Sequence, residues 1–115
     1  MHCVAMINQE LVAASTEPLI LSLLASGESD GYALTQEVRR LSEAKIQWTD
    51  GMLYPVLHRM ERRGLIKSRW DESETGRKQK YYVLKKVGKS AIAKHQERWS
   101  LVHSILTGLG KEQYV

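Results

Sequence analysis

Apolar residues recur at helical spacing through the first half of the chain, alternate after residue 64, and return at heptad spacing near the end. The first predicted helix runs from roughly Gln9 to Ser26. Leu11, Leu19 and Leu23, with Ala14, Ile20 and Leu24, suit a largely buried helix. Pro18 leaves two alternatives: Ser15 or Thr16 caps a new helix with Pro18 in its first turn, or a longer helix kinks there. Gly27 is placed to end it. A second helix is expected from about Gly31 to Ser42, capped by Asp30, with Leu34, Val38 and Leu41 as its buried stripe and Arg39 and Arg40 outward. Thr49 or Asp50 can cap a third, and Gly64 stands where its C′ residue belongs. Leu53, Val56, Leu57 and Met60 form its apolar face. Gly51, Tyr54, His58 and Arg62 form the opposite face, with Pro55 and Arg59 beside it.

After Gly64 the period becomes two. Leu65 to Trp70 and Gln79 to Leu84 read as strands, joined by the polar link Asp71 to Lys78. The last helix begins near Lys86 and is expected to end before Gly108 or Gly110. On it Ile92, His95, Trp99, Val102, Leu106 and Leu109 make an a/d seam. A second copy of the chain would cover that seam with a twofold interface; packing back on the helix's own domain is the alternative. The expected fold class is mainly α (α+β): a winged helix-turn-helix domain over residues 1–84, with a two-stranded wing, followed by a dimerisation helix over residues 85–110.

At 115 residues the chain fits one domain and leaves no room for a catalytic domain beside a regulatory one. The single cysteine, Cys3, cannot form an intrachain disulfide and reads as an ordinary free thiol. No basic leader with a cleavage site precedes residue 15, and the longest apolar run, Leu19 to Ala25, is too short to span a bilayer; a cytoplasmic protein without a membrane partner is expected. The net charge is +4, unevenly distributed. Residues 1–48 hold three basic and six acidic side chains, whereas residues 85–115 hold six basic and two acidic. Such asymmetry suits a polyanionic partner.

Three helices and a hairpin make the winged form of the helix-turn-helix. Its recognition helix must bury one face and offer the other to a major groove. The third helix meets that demand. Thr49, Gly51, Tyr54, His58 and Arg59 are the candidate DNA contacts on it, Gly51 permitting close approach and Tyr54 donating to a phosphate or stacking on a sugar. Arg77, Lys78 and Lys80 on the wing suit the minor groove or flanking phosphates, although Glu72 and Glu74 weaken the field there. The expected partner is double-stranded DNA; the alternative is a winged-helix protein–protein interaction module without specific DNA binding, against which the Tyr54, His58, Arg59 and Arg62 face argues.

The run GYALTQEVRRLSEAKIQWTDGMLYPVLHRMERRGLIKSRW, followed by ETGRKQKYYVLKKVGKSAI, resembles the PadR family of transcriptional regulators over roughly residues 10–109. The LYPVLHRMERRGLI block and the GRKQKYY wing carry the likeness. The resemblance implies a homodimer built through the last helix, a palindromic operator and, usually, repression. The short tail is similar to that of the small members with one C-terminal helix. Some of these hold a planar aromatic drug between tryptophans of paired last helices. Trp99 stands at the matching place, with Leu11, Ala14 and Ser15 on the first helix. His103 replaces an acidic residue of the drug-binding relatives, for which Glu17 is the available substitute. Packing alone is the other role open to Trp99. No nucleotide-binding, hydrolase or zinc-protease motif occurs, so neither an enzyme nor a cofactor or metal site is expected; Glu61 and Asp71 read as ordinary surface charges.

Overall fold

The computed structural model describes residues 8–72 and 74–113, with side chains through 109. Helix α1 spans Gln9–Ala25, strand β1 Ser29–Asp30, helix α2 Gly31–Leu41, helix α3 Asp50–Arg62, strands β2 and β3 Ile66–Glu72 and Lys78–Leu84, and helix α4 Lys86–Gln113. Polar side chains start each helix of the head. Asn8 Oδ1 accepts from the Glu10 amide at 2.7 Å, Asp30 Oδ1 from Ala33 at 2.7 Å, and Thr49 Oγ1 from Met52 at 3.2 Å. Gly64, at φ +76°, ends α3 in a Schellman turn: the Leu65 amide donates to Met60 and the Gly64 amide to Glu61.

Pro18 neither starts nor divides α1, which runs through it as one helix. The donor that Pro18 lacks would have served the carbonyl of Ala14, and Ala14 is exposed, so water can replace it. On α2, Leu34 and Val38 are buried as expected, but Leu41 is 59% exposed because the helix stops there and the chain turns away through left-handed Glu43 and Ala44.

The wing is larger than a hairpin. β2 and β3 pair antiparallel from Ile66↔Leu84 to Glu72↔Lys78, and the two-residue β1 adds to the far edge of β3 through Ser29↔Tyr82 and Asp30↔Tyr81. This third strand fastens the start of α2 to the wing. One core unites the head: Ile20, Leu21 and Leu24 of α1, Leu34 of α2, Leu53, Leu57 and Met60 of α3, and Ile66 and Tyr82 of the sheet. Trp48, in the turn before α3, is buried among them.

Helix α4 has two halves with different surroundings. Gly88 lies so close to the Leu65 carbonyl that a Cβ there would collide with backbone. Ala91 and Ile92 pack against the head's core, and His95 Nε2 stands 3.3 Å from Glu17 Oε2 of α1. The expected seam is therefore occupied within the chain at Ile92 and His95. Beyond them Trp99, Leu101, Val102, Ile105, Leu106 and Leu109 are all exposed, and the helix continues past Gly108 and Gly110 to Gln113. The projecting helix gives a radius of gyration of 16.6 Å, against about 13 Å for a compact chain of this length.

Candidate nucleic-acid interface

The buried face of α3 fixes which side chains it can offer outward. With Leu53, Leu57 and Met60 fully buried, Thr49, Gly51, His58 and Arg59 come to the open side, and all four are exposed. A Cβ on Gly51 would meet only Thr49 Oγ1, at 3.9 Å, so the space before this helix start is clear of protein. Nothing in the fold itself requires glycine there.

Tyr54 is placed differently from its neighbours. It is half-buried, with its ring over the backbone of Gly31 at the start of α2; a Cβ on Gly31 would lie 2.5 Å from the Tyr54 hydroxyl oxygen. Burial, reinforced by Asp50 and Asp30, raises its pKa, so the group is a neutral hydroxyl at physiological pH. Tyr54 thus braces α3 against α2 and presents only one edge outward.

On the wing, Lys78 is exposed opposite Glu72, and Arg77 lies in the exposed tip. Lys80 sits on the face turned to α3, with its ammonium 3.9 Å from Glu61 and 5.5 Å from the Tyr82 ring centroid. Glu61 also accepts from Ser68 Oγ at 2.6 Å, so it ties the recognition helix to the wing. Asp71 is likewise engaged, 2.7 Å from Arg69, which also pairs with Glu28 and stacks 5.1 Å from the Tyr81 ring. Asp71 remains an exposed surface charge, paired on its own strand, whereas half-buried Glu61 has the added role of tying α3 to the wing.

The residues singled out for a small ligand divide. Leu11 and Ser15 of α1 and Ile92, His95 and Trp99 of α4 line one apolar cleft of about 350 Å³, together with Ile46 from the turn before α3. Ala14 and His103 are exposed and do not line it. Glu17 does not line it either: its carboxylate is held by Arg63 at 2.6 Å and faces His95. Ile46 was not foreseen, because a lone isoleucine in a polar turn carries no periodic signal. Among the described residues no group of His, Cys, Asp and Glu could hold a metal, and no helix is long and apolar enough to cross a membrane.

Comparison with known proteins places this geometry among relatives. The profile of the "Transcriptional regulator PadR-like family" matches residues 20–94. A transcriptional regulator from Clostridium thermocellum superposes with a TM-score of 0.80 at 26% identity, over 89% of this chain and 96% of that one. A PadR family transcription regulator from Clostridium difficile gives 0.73 at 29% identity, over 83% and 97%. A PadR-like transcriptional regulator from Bacillus cereus gives 0.77 at 25% identity, over 88% and 96%.

Proposed function

The chain belongs to the PadR-like family of transcriptional regulators, which are DNA-binding proteins and not enzymes, and from that premise we propose that it acts as a homodimeric repressor of a palindromic operator. The observation that carries the dimer is the outer half of α4. Among the described residues its large apolar side chains stay exposed, Leu106 at 66%, and only Trp99 at the inner end is partly covered, where it lines the cleft with Leu11 and Ser15 of α1. Monomeric soluble proteins rarely leave such a stripe open, and a second copy crossing on a twofold axis supplies an equal stripe. The pair then presents two α3 helices to successive major grooves, spaced by the paired α4 helices. Thr49, Gly51, His58 and Arg59 meet the groove, the outer edge of Tyr54 meets its margin, and Arg77, Lys78 and Lys80 fix the register through phosphates.

The cleft at Trp99 supports a ligand-controlled switch. It is apolar, of a size that holds a small molecule, and walled by the helix expected to set the spacing of the heads. Its occupant is a planar aromatic compound stacked on the Trp99 indole, and the dimer completes the wall. Among the described residues no carboxylate lines the cleft to meet a cationic ligand, and Glu17 is engaged by Arg63. The ligand shifts the heads only as far as its affinities for the two arrangements differ.

Competition binding tests the reading. A labelled duplex from the region upstream of the protein's own coding sequence is titrated against unlabelled random duplex. Retention of the labelled complex by the wild type, with loss of that preference on Arg59→Ala, is the expected result. Complexes that random duplex removes equally well would leave only a basic surface.

A further inference from the structure

Alternation along β2 and β3 sends Ile66, Ser68 and Trp70, and opposite them Leu84, Tyr82 and Lys80, to one face of the wing. At its inner end this face is core, with Ile66 and Tyr82 buried. Midway, Ser68 bonds to Glu61 of α3. At the outer end the sheet runs past the cover that the helix provides, and Trp70 is left 67% exposed although it stands on the core-facing side. Tyr32, in the first turn of α2, is 71% exposed across from it. Tyr32, Tyr54, His58, Trp70 and Lys80 line a slot of about 410 Å³ between α3 and the wing, with Tyr82 beneath.

The chemistry of the slot is that of donors over apolar rings. Lys80 contributes an ammonium, which lies 3.9 Å from Glu61, Trp70 an indole N–H, Tyr32 and Tyr54 hydroxyls, and His58 an imidazole. The one carboxylate lining it, Asp30, accepts from the Ala33 amide as the cap of α2. A sugar–phosphate backbone matches this: its phosphate oxygens only accept, and its deoxyribose offers an apolar face. We propose that the slot seats one strand of the duplex at the edge of the groove that α3 enters. Trp70 packs on a deoxyribose, while Tyr32 and Lys80 hold the neighbouring phosphates. This deepens the DNA-binding reading above and rests on it. Because Trp70 carries no charge, its share of the affinity is independent of salt, whereas that of Lys80 is not.

The slot meets backbone rather than base edges, so a random-sequence duplex suffices as the probe. Anisotropy titrations at several salt concentrations compare the wild type with Trp70→Ala, Trp70→Phe, Tyr32→Phe and Lys80→Ala. Trp70→Ala should weaken binding about tenfold with the log–log salt slope unchanged, and Trp70→Phe should retain most of the affinity. Tyr32→Phe should weaken it about tenfold, one hydrogen bond to a charged acceptor being lost. Lys80→Ala should flatten the slope by about 0.9 for each phosphate released. Iodide quenching, taken as the difference between the wild type and Trp70→Phe, should show the Trp70 indole shielded once duplex is bound. It reads the contact even where Trp70→Ala folds poorly. If the wild type binds while Trp70→Ala is unaltered and iodide still reaches Trp70, the slot is refuted and the DNA-binding reading stands. If the wild type binds no duplex, both fall. Shielding that grows with protein concentration in the absence of duplex would assign the slot to a second copy and overturn the proposal.

Discussion

Tyr82 carries a hydroxyl that the fold buries without a hydrogen-bond partner among the described residues. Burial, with Tyr54 and Glu61 nearby, pushes its pKa up to about 12 from the ordinary 10.0. The neutral form is therefore favoured in the folded state. Ionisation is penalised in the folded state by roughly 2–3 kcal/mol, so the group leaves stability unaltered below pH 10 and lowers it by up to that amount as pH rises toward 12. Tyr82→Phe should leave the midpoint of thermal unfolding at neutral pH unchanged or slightly higher, since no bond is broken. The same variant should lose less stability than the wild type between pH 10 and pH 12. Gly31 makes a second claim at this scale. Gly31→Ala forces the Tyr54 ring aside and should cost about 1–3 kcal/mol in denaturant unfolding, with marked non-additivity when combined with Tyr54→Ala. The sequence did not show this contact. Gly31 reads there as an ordinary helix start, and only the third strand, which pins α2 against β3, brings Tyr54 over it. Trp48 was hidden for a similar reason, since a tryptophan in an irregular turn has no periodicity to mark it as core.

At the scale of elements, strong periodicity and the β2–β3 hairpin were legible, and the pairing of β1 with β3 was not. The positions and caps of α2 and α3 followed from Asp30, Thr49 and Gly64, whose side-chain or backbone chemistry is local. Strand β1 has only two residues and no alternation of its own; β3 makes it a strand by pairing with it. Helix α4 combines both cases. Its heptad spacing marked a seam, but spacing alone does not say which chain covers each position. The close approach at Gly88 draws the first half onto the head, so Ile92 and His95 are spent there, while Leu101 and Ile105 widen the open arc beyond the seam. Leu106→Lys should therefore convert a dimer into a monomer in sedimentation velocity, with the far-UV spectrum of the head retained. Trp99→Ala, at the boundary of the two halves, should weaken a planar aromatic ligand by about tenfold or more in fluorescence titration and leave DNA binding within about threefold. A collapse of DNA binding in that variant would make Trp99 a packing residue.

Over the whole molecule, the head offers an exposed α3 face and a wing tip, and α4 stands away from it. The acidic surplus of the first 48 residues is partly neutralised by bases from later in the chain: Glu17 pairs with Arg63 and Glu28 with Arg69. Basic side chains on the wing and on α3 then set the sign of the field that a duplex meets. The measurement that tests this account most directly is anisotropy of a labelled operator-length duplex from the upstream region, titrated over a range of salt. A dimer neutralising about eight phosphates should give a log–log slope near −7, and Leu106→Lys should abolish tight binding. A wild-type slope near zero, or undiminished binding by the monomeric variant, would contradict it.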